Sequence, residues 1–276
     1  MTTRWIAESF DGGEIAARVG YEAGELVAEW PGRGRLRASR DGRTATFEVA
    51  RGASERDAEK LRRGPVRLLL HHLAGGLSLH GAAVAVDGRA VVVLGASGQG
   101  KSTLAAALCA QIGARLLGDD AVAVRHTPER DEVLALEREC WLNGDAAALL
   151  GYAGSGDRKN PFAVAAMESA GAVAGSALEL PVDGAPLAAL VHLAFAELPR
   201  PRLVRTSGLD AVVGLIPQMT RFVLDDPEVT RRDLVNLGEV VDRTPVYRLE
   251  RPPRFERNHL EDAARLVAVL GSKDER

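Results

Sequence analysis

Between residues 14 and 50 apolar and polar positions alternate in four short runs, IAARVGY, ELVAEW, RLRASR and TATFEVA. EAG, PGRG and DGR separate them. A period of two sends successive side chains to opposite faces, so these runs predict an antiparallel meander. The charged run ASERDAEKLRR, 53–63, predicts a solvated helix or linker, and Gly64-Pro65 punctuates it. VRLLLHHLA then predicts a helix with Pro65 in its first turn and a stop at Gly75-Gly76. The change of pattern divides the chain into a small β-rich region, 1–63, and a larger domain, 64–276.

In the larger domain LSLHGAAVAV (77–86) and RAVVVLG (89–95) flank Asp87-Gly88, the strongest short hairpin signal. The two strands are therefore expected to be antiparallel and the sheet mixed. STLAAALCAQIG predicts a helix closed by Gly113, and ARLLGDDAVAV, 114–124, predicts a strand. Residues 131–142 and 184–198 continue the α/β alternation. GYAGSGDRKN, 151–160, has the composition of a loop. Helical patterns at 208–219, 229–242 and 256–271 follow.

Composition narrows the function classes. The 276 residues carry 35 Lys plus Arg against 38 Asp plus Glu, a net charge of -3, so no basic excess favours a nucleic-acid partner. The apolar run at 187–196 is too short to span a bilayer and contains His192, and no secretory signal opens the chain. Cys109 and Cys140 lie far apart, without metal-ligand spacing, and fit buried thiols in a cytoplasmic protein. Only four of the basic residues are lysines, Lys60, Lys101, Lys159 and Lys273, and Lys101 falls in the most telling segment.

That segment is GASGQGKS, 95–102, which matches G-x-x-x-x-G-K-[ST] at every position. An apolar strand enters it and an Ala/Leu-rich helix leaves it. Cradling a polyphosphate requires backbone N–H groups pointing inward, hence glycine where the chain turns tightly. Gly95, Ala96, Ser97, Gly98, Gln99, Gly100, Lys101, Ser102 and Thr103 are thus the expected nucleotide-binding residues. Lys101 would neutralise phosphate oxygens and Ser102 would ligate Mg²⁺. Asp119-Asp120, at a strand end downstream, supply two acids: one can bind Mg²⁺ while the other accepts a hydroxyl proton. His80, opposite the Gly95 region across the hairpin, can hold an acid in place. His71, His72 and His192 fit core or helix-surface roles.

The stretch 79–124, LHGAAVAVDGRAVVVLGASGQGKSTLAAALCAQIGARLLGDDAVAV, resembles the HPr kinase/phosphorylase family in its His-Gly strand, hairpin, phosphate loop and Asp-Asp pair. The resemblance implies an α/β fold: a P-loop nucleotide-binding core with a mixed sheet, related to phosphoenolpyruvate carboxykinase. It implies ATP and Mg²⁺ as cofactors and a protein or peptide partner with an acceptor serine. Asp119 would be the base with His80 its partner, Lys101 would hold phosphate, and Ser102 and Asp120 would face the metal. The family's long N-terminal domain is replaced here by the β-patterned segment, and its second, glutamate-containing signature has no clear counterpart, Glu139 being a candidate. The chain is therefore more similar to shorter kinase-only relatives, including those acting on the C-terminal serine of lasso-peptide precursors. DRKNPFAV (157–164), RTSGLDAVVGLI (205–216) and TPVYRLE (244–250) resemble later segments of that subgroup.

Arg158 and Lys159, preceded by glycines at 151, 154 and 156 that can act as a hinge, are expected as loop cations that stabilise phosphoryl charge. Arg221, in an apolar stretch, is a further anion-binding candidate. The β-rich segment is free to bind a peptide by adding a strand at an open edge. A small-molecule kinase and a non-catalytic nucleotide sensor stand as rival readings, and self-association is left open.

Overall fold

A computed structural model describes residues 2–136, 139–151, 160–163, 183–220, 222, 225–253 and 256–272. Two compact units form. Among the described residues the first holds 2–78 and 220–236, the second 79–136, 139–151, 160–163, 183–219 and 237–272.

In the first unit five strands pair in sequence order: β1 (Arg4–Asp11), β2 (Glu14–Glu22), β3 (Glu25–Trp30), β4 (Gly34–Ala38) and β5 (Ala45–Val49). Four of these are the expected meander, and β1 precedes them. The alternation has the anticipated effect: Leu26, Ala28 and Leu36 face inward, while Arg18 pairs with Glu29 and Arg35 with Glu22 on the other face.

Helix α1 (Glu55–Leu61) is capped by the Ser54 hydroxyl, which accepts the Asp57 N–H at 3.0 Å. Here the expected break fails. The chain passes through one π turn, Arg62–Val66, straight into α2 (Arg67–Leu73), with Pro65 inside the helix. Proline lacks an N–H and crowds the preceding turn; the wider π geometry accommodates both. Leu61, Val66, Leu69 and Leu70 then pack against the inner face of the sheet. Each buried aliphatic side chain contributes about 1.5–3 kcal/mol.

The short strand β6 (Leu77–Leu79) leads on to β7 (Gly81–Val86) and β8 (Arg89–Leu94). These form the expected hairpin, in register from Gly81↔Leu94 to Val86↔Arg89. Both turn residues have positive φ, 49° at Asp87 and 79° at Gly88, the left-handed pair that matches strand twist. Helix α3 (Lys101–Ala107) continues as a π turn, Leu108–Ile112, and stops at Gly113.

The expected 114–124 strand is broken in two. β9 (Arg115–Asp119) ends where Asp120 adopts φ 64°, and β10 (Val122–His126) starts afresh. Gly118 permits the kink, because a Cβ there would run into the Ala121 carbonyl oxygen. Next come β11 (Asp131–Leu134), β12 (Glu139–Leu142), α4 (Gly144–Leu149), β13 (Asn160–Ala163) and β14 (Gly184–Phe195). The second unit closes with β15 (Arg202–Thr206), α5 (Gly208–Leu215), the 3₁₀ turn Ile216–Gln218, β16 (Val246–Arg251) and α7 (Arg257–Gly271). Helix α6 (Pro227–Arg243) begins in the first unit and ends in the second.

The main sheet runs β10-β11-β14-β8-β7-β9, with β16 on β14 and β15 on β16. It is mixed as expected: β8 and β16 lie parallel to β14, while β7 lies antiparallel to both β8 and β9. α3 and α7 cover one face through Leu104, Leu108, Leu260 and Val267, packed on Val91, Val93 and Val191. No described helix is long and apolar enough to cross a membrane.

Candidate functional site

The 95–100 loop follows from the strand before it. β8 is buried from Ala90 to Leu94, so the chain leaves the sheet interior abruptly and must turn at once. It does so through three glycines of positive φ, 145° at Gly95, 79° at Gly98 and 85° at Gly100. Only glycine adopts such angles without strain. At Gly95 a Cβ would also displace the Gln99 side-chain oxygen, which accepts the Ala96 N–H. Gly100 caps α3 with no side-chain hydrogen bond.

Several side chains hold the loop. Gln99 Oε1 accepts the Ala96 N–H at 2.8 Å, and Gln218 Oε1 accepts the Gly95 N–H at 3.3 Å. The buried Lys101 ammonium donates to the carbonyls of Gly95 (2.9 Å) and Ala96 (3.2 Å). Arg251, 2% exposed at the end of β16, donates from Nη2 to the Gln99 carbonyl and from Nη1 to the Pro252 carbonyl at 2.8 Å. Its guanidinium lies 4.8 Å from the Phe195 ring centroid. Burial pulls the Arg251 pKa down to about 10, which leaves it charged at neutral pH.

The two aspartates diverge at the kink. Asp119 is 1% exposed; its Oδ1 accepts the Ser102 hydroxyl at 2.8 Å and the Asp120 N–H at 3.2 Å, and its Oδ2 accepts the Trp141 N–H at 2.7 Å. Asp120 is exposed and lines a cleft of about 410 Å³. His80, Ser97, Gly98, Gly100, Lys101, Ser102 and Thr103 share that cleft. His80 Nδ1 lies 3.2 Å from the Asp120 carbonyl oxygen, and the His80 N–H donates to the Gln218 carbonyl at 2.7 Å. Thus nearly all the residues singled out from the sequence in this region converge, with Gly95, Ala96 and Gln99 shaping the loop and Asp119 set behind Ser102.

One wall was not foreseen. Trp141, Leu142, Asn143 and Ala146, from the end of β12 and the start of α4, also line the cleft. Asn143 caps α4 by accepting the Ala146 N–H at 2.9 Å. An Asn before an alanine run signals a helix start in the sequence, though not its position beside the loop. Arg251 and Gln218 were missed as well, each lying far along the chain from the loop it contacts. Arg158, Lys159 and Arg221 lie outside the described residues.

Electrostatics around the site are uneven. Burial, the Arg248 charge and the Lys101 charge together push the His192 pKa below its ordinary 6.5. Cys109 is raised to about 12 by burial and by the Asp119 charge. His71 and His72 are buried in α2 of the first unit, as core residues. Among the described residues no three His, Cys, Asp or Glu side chains group as ligands for a metal ion. The oxygen donors of Ser102 and Asp119 are of the hard type that suits Mg²⁺, an ion that completes its shell with water and substrate phosphate.

The chain is an α/β protein with a mixed sheet flanked by helices and a cleft at a glycine-rich strand-to-helix loop. Neither a protein-family model nor a curated protein matches it. Among solved structures, the Hpr(Ser) kinase/phosphatase from Coxiella burnetii is similar over 70% of this chain and 92% of that one, at 14% identity and a TM-score of 0.33. The likeness of fold is distant.

Proposed function

We propose that this chain is an ATP- and Mg²⁺-dependent phosphotransferase acting on a serine hydroxyl of a peptide or protein. The carrying observation is the 2.8 Å hydrogen bond from Ser102 to Asp119 at a cleft that Lys101, His80 and Asp120 line. The G-x-x-x-x-G-K-[ST] sequence and the positive φ of its glycines suit a polyphosphate cradle. Lys101 moves from its loop carbonyls to phosphate oxygens. Ser102 and Asp119 hold Mg²⁺, whose charge offsets that of the phosphates.

The roles of the two acids follow their surroundings. Asp119 has both oxygens engaged and is buried, which suits a fixed metal-side carboxylate. Asp120 faces the cleft and takes the acceptor's hydroxyl proton. His80 steadies Asp120 through its backbone carbonyl. This reverses the assignment implied by the family resemblance, in which Asp119 is the base. Asp120 also sits at a left-handed φ, strained for a residue with a Cβ, as functional residues often are. Arg158 and Lys159 complete the proposal as cations for the transferred phosphoryl group.

The test incubates the full chain with Mg²⁺ and γ-labelled ATP, separately with serine-containing peptides and with hydroxylated metabolites. Label on a peptide serine supports the reading. Label on metabolites alone makes it a small-molecule kinase. Tight ATP binding with no labelled acceptor leaves a nucleotide sensor.

A further inference from the structure

The peptide joining Gln99 to Gly100 is held from behind. Across a trans peptide the C=O and the following N–H point in opposite directions. Arg251 fixes the Gln99 carbonyl from its buried place at the end of β16. The Gly100 N–H is thereby turned the other way. Gly100 itself lines the cleft.

We infer that Arg251 is a positioning residue for anion binding, which orients the Gly100 amide as a phosphate donor by anchoring the Gln99 carbonyl. This deepens the phosphotransferase reading and rests on it. Lys101 cannot serve this purpose throughout, because its contacts to Gly95 and Ala96 are given up when it turns to phosphate. Arg251 is held in place: it is buried, its guanidinium lies against the Phe195 ring, and its Nη1 donates to the Pro252 carbonyl. Gln218, accepting the Gly95 N–H, fixes the opposite end of the loop. The planar fork explains the residue type. One guanidinium reaches Gln99 and Pro252 together, where a lysine ammonium on a flexible stem would satisfy them less well.

The experiment uses the full chain, with Mg-ATP and inorganic tripolyphosphate as probes. Calorimetry gives affinities, and the Gly100 amide resonance is followed in ¹H–¹⁵N spectra. In the wild type, tripolyphosphate should move the Gly100 amide strongly. Arg251→Met should shift that resonance in the ligand-free protein and weaken tripolyphosphate binding about 10- to 100-fold. Arg251→Lys should recover part of the loss. An unmoved Gly100 amide in the saturated wild type overturns the inference, even if Arg251→Met fails to fold. So does a folded Arg251→Met of wild-type affinity, or an Arg251→Lys no better than the Met variant. A wild type that binds neither probe overturns the phosphate-loop reading itself, and the inference with it.

Discussion

The Ser102 hydroxyl donates to Asp119 Oδ1 at 2.8 Å, tying the first turn of α3 to the last residue of β9. A second tie, from the Trp141 N–H to Asp119 Oδ2, brings β12 to the same carboxylate. One buried acid therefore joins three elements around the cleft. Asp120, one residue on, is turned outward by the kink that Gly118 permits.

If the acids divide their work as proposed, their amides fail differently. Asp120→Asn should lower kcat about 10²- to 10⁴-fold with the KM for Mg-ATP nearly unchanged. Asp119→Asn should instead raise the Mg²⁺ concentration needed for half-maximal rate. Initial rates over a Mg²⁺ series separate them, and a fully active Asp120→Asn would return the base role to Asp119.

Lys101→Met removes the ammonium proposed to meet the phosphates. Hydrogen bonds to charged groups are worth about 1.5–3 kcal/mol, so ATP affinity should fall by about one to two orders of magnitude. Calorimetric titration of wild type and variant checks this. Equal affinities would mean the ammonium stays on the Gly95 and Ala96 carbonyls.

Gly118→Ala should destabilise the second unit by about 1–3 kcal/mol, because the added methyl meets backbone rather than a movable side chain. Urea denaturation measures the loss. Gly214→Ala is the control: a Cβ there meets nothing within 4 Å, so its midpoint should hold or rise.

His192 should make the fold acid-sensitive. Its folded pKa lies below 6.5, so the unfolded chain takes up the proton first. Stability is then present above the unfolded pKa and is lost as pH falls through the folded one. Melting temperatures followed from neutral pH to about pH 5 should decline less steeply for His192→Gln than for wild type. Parallel curves would assign the acid sensitivity to other groups.

Cys109 should resist thiol reagents. With its pKa raised to about 12 and its side chain buried, little thiolate forms at mildly alkaline pH. Cys140 is buried too, so a chromogenic disulfide should titrate neither thiol rapidly in the native protein and both after denaturation. Fast modification of native Cys109 would show that the π turn after α3 opens.

Local rules made much of this protein legible from its residues. Alternation gave four strands of the meander, Asp87-Gly88 gave the hairpin and the antiparallel step in the sheet, and GASGQGKS gave the loop between β8 and α3. Each depends on conformational preferences within a few neighbouring residues. Pro65 shows where such preferences yield: packing of Val66 and Leu69 holds a helix together through a proline by way of a π turn. Three other features required the tertiary structure. Gln218 and Arg251 meet the loop across more than a hundred residues, Trp141 and Asn143 supply a wall of the cleft, and the kink at Gly118 gives the adjacent aspartates opposite surroundings. A side chain's chemistry is written in its identity, but burial and hydrogen-bond partners decide which part it plays, and both arise only when distant segments pack.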